Sequence, residues 1–187
     1  MKQALLVIDV QRGLFDAVPR PDEADAVVDR INALAARARA AGAPVVFVQH
    51  EDGEGGELAH GSPGWHLEQR LVVGSTDVHV RKSTPDSFLR TDLGALLERW
   101  STEQVVICGY ASEFCVDTTT RRAAALGYPV ILAADAHTTH DKPHATARQI
   151  RAHHNATLSA IGSFGRPIVA RVAADIAFAA QAGSSAG

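Results

Sequence analysis

Four short apolar runs recur along the chain, and amphipathic stretches with helical spacing lie between or after most of them. The runs are Ala4-Leu5-Leu6-Val7-Ile8, Val45-Val46-Phe47-Val48, Val105-Val106-Ile107-Cys108 and Pro129-Val130-Ile131-Leu132-Ala133-Ala134. They do not alternate apolar with polar, so each reads as a strand buried on both faces, as central strands of parallel sheets are. Between the first two, Ala24, Val27, Val28, Ile31, Leu34, Ala35 and Ala38 keep one face of a helix that opens near Pro21-Asp22 and stops at Gly42-Ala43-Pro44. Strand, helix, strand in this order dictates a right-handed parallel crossover. The chain thus reads as one α/β domain, a three-layer α/β/α sandwich around a mainly parallel sheet.

The remaining elements fit that frame. Asp77 to Arg81 alternates as a shorter strand. Thr91 caps a helix carrying Leu93, Leu96, Leu97 and Trp100 on one face. A further helix runs from the Cys115 region to Leu126 and closes at Gly127. Asp141 caps a helix with Ala147, Ile150, His154, Leu158 and Ile161 at helical spacing, and Pro167 to Ala170 forms a last strand. Arg12 to Arg20 and His50 to Trp65 read as loops, the second long, glycine-rich and therefore functional in character. The domain is expected to span residues 1–182, with Gly183 to Gly187 as a frayed tail.

Composition narrows the function. The 187 residues carry 46% hydrophobic side chains and a net charge of -3, with no basic block, which argues against nucleic acid as a partner. The first apolar run is too short to span a bilayer and no targeting segment is evident, so no membrane partner is expected. Two cysteines suit a reducing compartment, taken as the cytoplasm. Their separation is not that of a redox pair.

In open α/β sheets ligands bind beyond the carboxyl ends of the strands. Three reactive side chains fall at such ends: Asp9 after the first run, Lys82 after the short strand, and Cys115 after Gly109-Tyr110-Ala111-Ser112-Glu113-Phe114. A cysteine where a helix starts lies near unpaired amides and the positive end of the helix dipole, which favour thiolate over thiol and can hold an oxyanion. Read singly, each has a bland alternative: a turn-capping Asp, a solvated Lys, a buried structural Cys. Their agreement on one sheet edge points to a site.

The pieces Leu6-Val7-Ile8-Asp9-Val10-Gln11, Arg81-Lys82-Ser83, Gly109 to Val116 and Ala134-Asp135-Ala136 together resemble the isochorismatase-like cysteine hydrolases, a family that includes nicotinamidases and N-carbamoylsarcosine amidase. The resemblance covers nearly the whole chain. It implies a catalytic triad of Asp9, Lys82 and Cys115. It also implies an oxyanion hole from the amides of Ala111 and Cys115, and a cis peptide between Tyr110 and Ala111. The implied activity is hydrolysis of a C–N bond in a small amide, ureido or lactam compound through a thioester; streptothricin-like lactams, ureido compounds, maleamate and nicotinamide are all within that class. No cofactor and no metal are implied. The small-molecule substrate would meet Gln11, Phe15, Trp65, Phe88, Tyr110 and His137, and the chain would form a dimer or tetramer.

Two departures matter. Nicotinamidases of this kind carry an Asp-x-His metal motif after the second strand, and here the strand exits as Gln49-His50-Glu51-Asp52. Members that cleave a vinyl ether lack the cysteine, whereas this chain has Cys115. Two alternatives stand beside the main reading: a metal-assisted hydrolase using His50 and His66, and a non-catalytic binding protein on the same fold.

Overall fold

The computed structural model describes residues 1–180; the expected boundary at residue 182 and the tail 183–187 lie outside the described residues. Six strands form one sheet: β1 (Gln3–Ile8), β2 (Val45–His50), β3 (Val78–Lys82), β4 (Gln104–Tyr110), β5 (Val130–Thr138) and β6 (Ile168–Arg171). Their order is β3-β2-β1-β4-β5-β6, and all five pairings are parallel. The winding reverses between β1 and β4. That topological switch point opens a crevice at the strand C-termini, where a doubly wound sheet takes its ligand.

Helices cover both faces. Odd residues of β1 (Leu5, Val7) join Phe47, Val106 and Cys108 in a core under α2 (Ala24–Ala40), while Ala4, Leu6 and Ile8 join Val46, Val48, Val105 and Ile107 on the other face. That second core lies under α3 (Leu93–Arg99), α4 (Asp117–Ala125) and α5 (Ala147–Ser159). The two-residue alternation of side chains along a strand divides a uniformly apolar run between two cores, which is why these runs show no polar positions. Cys108 is fully buried in the first core, and burial pushes its thiol up.

Three elements differ from expectation. Arg12 to Phe15 is a four-residue helix, α1, rather than loop, because Leu14 N–H and Phe15 N–H both return to Gln11 O. α5 is capped by a box in which Thr146 and Gln149 bond each other's backbone N–H; Asp141 assists by accepting from Ala147 N–H. Ile161 lies beyond the end of α5. β5 does not stop at Ala134: its register against β4 breaks between Ile107 and Gly109, and pairing resumes at Gly109↔His137 and Tyr110↔Thr138. The extra length bulges out, and Asp135 on it pairs with Arg30 and accepts from Ala173 N–H, away from the crevice.

Candidate active site

β1 ends at Ile8, and Asp9 turns off with a φ of 51°, a left-handed conformation unusual outside glycine. Its N–H donates to Val48 O at 2.8 Å. On the other side Gly109, at φ 118°, presses on β1 so closely that a Cβ there would sit 2.1 Å from Ile8 O. No other residue type fits at that contact, and it sets β4's exit beside Asp9.

Lys82 ends β3, opposite His50 in register. Its side chain is fully buried, and its Nζ donates to Asp9 Oδ2 at 2.7 Å, Thr84 O at 3.1 Å and Cys115 Sγ at 3.3 Å. His50 Nδ1 stands 3.3 Å from the same Nζ and can only accept from it. Burial and the Lys82 charge both hold the imidazole below its ordinary range, so it is neutral. Asp9 Oδ1 is buried with no hydrogen-bond partner among the described residues.

Cys115 lies within a single π-helical turn, Ser112–Val116, that runs into α4. The turn is built on Ala111 O, which accepts from Phe114 N–H at 3.0 Å and Val116 N–H at 3.1 Å. The Tyr110–Ala111 peptide is cis, in agreement with the family resemblance. The thiol itself departs from expectation. Burial, and then the neighbouring Asp9 carboxylate, push it up to about 12 against the pull of Lys82. The helix-end position alone therefore does not make a resting thiolate. The resting arrangement is an Asp9–Lys82 ion pair with a protonated thiol beside it.

The residues expected around the substrate divide. Trp65 is partly exposed, its ring between those of His60 and His66 at 4.6 and 5.7 Å. Tyr110 is also partly exposed, and its hydroxyl meets His140 Nδ1 at 2.8 Å. Of the other four, Gln11, Phe15 and His137 are fully buried and Phe88 is partly buried. Gln11 is fully buried and ties the long loop down: its amide donates to His50 O and Trp65 O, both at 2.9 Å, and accepts from His50 N–H at 2.8 Å. Phe15 is fully buried in the α2-side core, edge-on to Tyr110. Phe88 stacks on Tyr128 in the opposite core. His137 is fully buried, and both ring nitrogens are spoken for: Ser112 Oγ donates to Nδ1 at 2.8 Å, and Nε2 donates to Asn155 Oδ1 at 2.9 Å. Burial pushes His137 down to about 4, so it is a neutral strut between α5 and the Ser112–Val116 turn.

His50 and His66 are not gathered together. His66 is exposed on the loop. Among the described residues the group with donor atoms spaced for a metal is Asp9, His50 and Cys115, all within 4.8 Å of one another. A cleft of about 710 Å³ lined by Met1, Thr102, Glu103, Tyr128 and Arg166 lies at the opposite ends of the strands.

A buried carboxylate, a buried ammonium and a partly buried thiol thus meet at the switch point of a doubly wound sheet. The family model described as Isochorismatase domain matches residues 3–161, and the chain belongs to the isochorismatase family of hydrolases. Two sequences of streptothricin hydrolase from Streptomyces noursei are 43% and 41% identical to it over 141 residues. Each match covers 75% of this chain but 51% and 56% of the relative, so the chain spans about half the length of these two curated relatives. A solved isochorismatase family protein is 37% identical with a TM-score of 0.82, covering 90% of this chain and 97% of its own. N-carbamoylsarcosine amidase from Thermoplasma acidophilum shares the fold at 21% identity and a TM-score of 0.79, covering 94% and 99%. No helix among the described residues is long and apolar enough to cross a membrane.

Proposed function

We propose that this domain is a cysteine hydrolase that cleaves the C–N bond of a small amide, ureido or lactam compound through a thioester. The observation that carries the reading is the single buried ammonium of Lys82 bonded to both Asp9 Oδ2 and Cys115 Sγ. The orphan Asp9 Oδ1 supports it, because that oxygen is free to take a proton.

In this mechanism Cys115 attacks the substrate carbonyl as its proton passes to Asp9. Lys82 keeps its charge throughout and balances the carboxylate first and the sulfur next. The amides of Ala111 and Cys115 hold the oxyanion. Asp9 then gives its proton to the leaving nitrogen as the C–N bond breaks. Water attacks the thioester, its proton returns to Asp9, the C–S bond breaks, and the sulfur recovers the proton. Trp65 and Tyr110 form walls of the substrate pocket.

The name of the Streptomyces relatives makes a streptothricin the first compound to test. The two free cysteines suit a reducing, cytoplasmic setting. Val72, Val73 and Phe114 are exposed apolar side chains, which suits a homo-oligomer.

The test is ammonia or amine release from a panel containing a streptothricin, ureido compounds, maleamate and nicotinamide, with and without chelator. Release that survives chelator and vanishes in Cys115→Ala, with the melting temperature unchanged, is the expected result. A Cys115→Ala variant as active as the natural chain would overturn the reading. So would silence on the panel together with a Cys115 that alkylates like an ordinary thiol, which is the behaviour of a binding protein.

A further inference from the structure

We propose that the Lys82 ammonium occupies the place of a metal ion, and that a thiophilic divalent cation such as zinc binds Asp9, His50 and Cys115 in its stead and blocks the thiol. The inference does not depend on the substrate. It rests on a convergence. A carboxylate, an imidazole and a thiol have their donor atoms within 4.8 Å of one another. Those same three side chains surround Lys82 Nζ at 2.7, 3.3 and 3.3 Å. Three protein ligands of these types, with a fourth position open, are what zinc takes at reactive sites.

The fit is close rather than finished. Zinc bonds of about 2.0–2.3 Å require tetrahedral ligands roughly 3.5 Å apart, so groups at most 4.8 Å apart must draw together by about 1.3 Å at most. The ligands are held for it. His50 has its backbone N–H and C=O both clamped by Gln11, at 2.8 and 2.9 Å. Its Nδ1 is aimed at the focus, while Nε2 faces Asp52 Oδ1 at 3.6 Å, where a carboxylate favours the tautomer with the proton on Nε2. His50 and Cys115 are both partly exposed, so an ion can reach them from the crevice.

Binding is an exchange that balances. The zinc–sulfur bond forms as the Cys115 proton leaves to solvent, zinc takes one Asp9 oxygen and His50 Nδ1, and the ammonium gives up those contacts while keeping Thr84 O. The ammonium thus competes with the metal. It keeps the natural site metal-free at low zinc and makes the blockade reversible by chelator.

The experiment is calorimetric titration of the full chain with zinc chloride, alongside His50→Ala, Cys115→Ala and Lys82→Met. The inference expects one zinc per chain, bound about tenfold or more weakly by His50→Ala and by Cys115→Ala, and about tenfold more tightly by Lys82→Met, whose competing charge is gone. Cobalt in place of zinc should give a thiolate-to-metal absorption band that Cys115→Ala lacks. Zinc uptake that is unchanged by His50→Ala and Cys115→Ala is adventitious binding elsewhere and overturns the inference. So does uptake by Lys82→Met alone, since the natural chain would then not bind. If Lys82→Met does not fold, the other three proteins and the cobalt band still decide the matter.

Discussion

Lys82 has a fully buried side chain, and its ammonium is the hub of the site. Removing one partner of a buried pair leaves the other charge uncompensated, which costs about 3–5 kcal/mol. Lys82→Met is therefore expected to lower stability by about 3 kcal/mol and to abolish hydrolysis; urea unfolding checks the first and amine release the second. His137 gives a second prediction. Its ordinary value is 6.5 and burial takes it to about 4 in the folded chain. Above pH 6.5 the ring is neutral in both states and costs nothing. Between 6.5 and 4 the unfolded chain binds a proton that the folded chain refuses, so stability falls with pH by up to about 3 kcal/mol and then levels off. His137→Gln should lose that component: its urea midpoint should fall less than the natural chain's between pH 7 and 4.5. Equal falls would contradict the assignment. At this scale Asp9, Lys82 and Cys115 were legible because each follows a strand. The back row was not. His137 lies within β5 past its bulge, and whether a side chain faces the crevice or an opposing helix depends on that bulge and on Asn155, which one-dimensional spacing does not contain.

Among the elements, the crossing of β1 and β4 makes the site. Gly109 has a φ of 118° and no room for a Cβ against Ile8 O, so Gly109→Ala must move β4 or break its pairing with β1. The expected outcome is a loss of about 3 kcal/mol or more, or failure to fold, read as a lowered melting temperature; a soluble variant with the natural melting temperature and activity would contradict the packing. The strand and helix cores were readable from period and from β-branched runs. The misread elements share a cause. α1, the Thr146 cap and the continuation of β5 past Ala134 are fixed by pairs of hydrogen bonds or by a neighbouring strand, and local apolar periodicity carries no trace of either. His50 illustrates the same point. Its place at the end of β2, between β1 and β3, follows from the strand order, but its contact with Lys82 emerges only when β2 and β3 pair in register.

For the whole molecule, the parallel order β3-β2-β1-β4-β5-β6 brings the ends of β1, β3 and β4 to one crevice from three distant parts of the chain. The fold class followed from the repeated strand-then-helix pattern, and the family from motifs spread along nearly the full length. The helix-end position favours a thiolate, but burial and the Asp9 carboxylate act against it and push the Cys115 thiol up to about 12. That distinction is measurable without any substrate. The central measurement is the rate of Cys115 alkylation by iodoacetamide against pH, in the natural chain and in Asp9→Asn. A thiol that passes its proton internally to Asp9 holds a constant small fraction of thiolate, so the account predicts a rate nearly independent of pH between about 6 and 8. Asp9→Asn should instead give a simple titration curve. A natural chain whose rate rises about tenfold per pH unit across that range, unaltered by Asp9→Asn, would show that Asp9 and Cys115 do not act as a pair and would contradict the account.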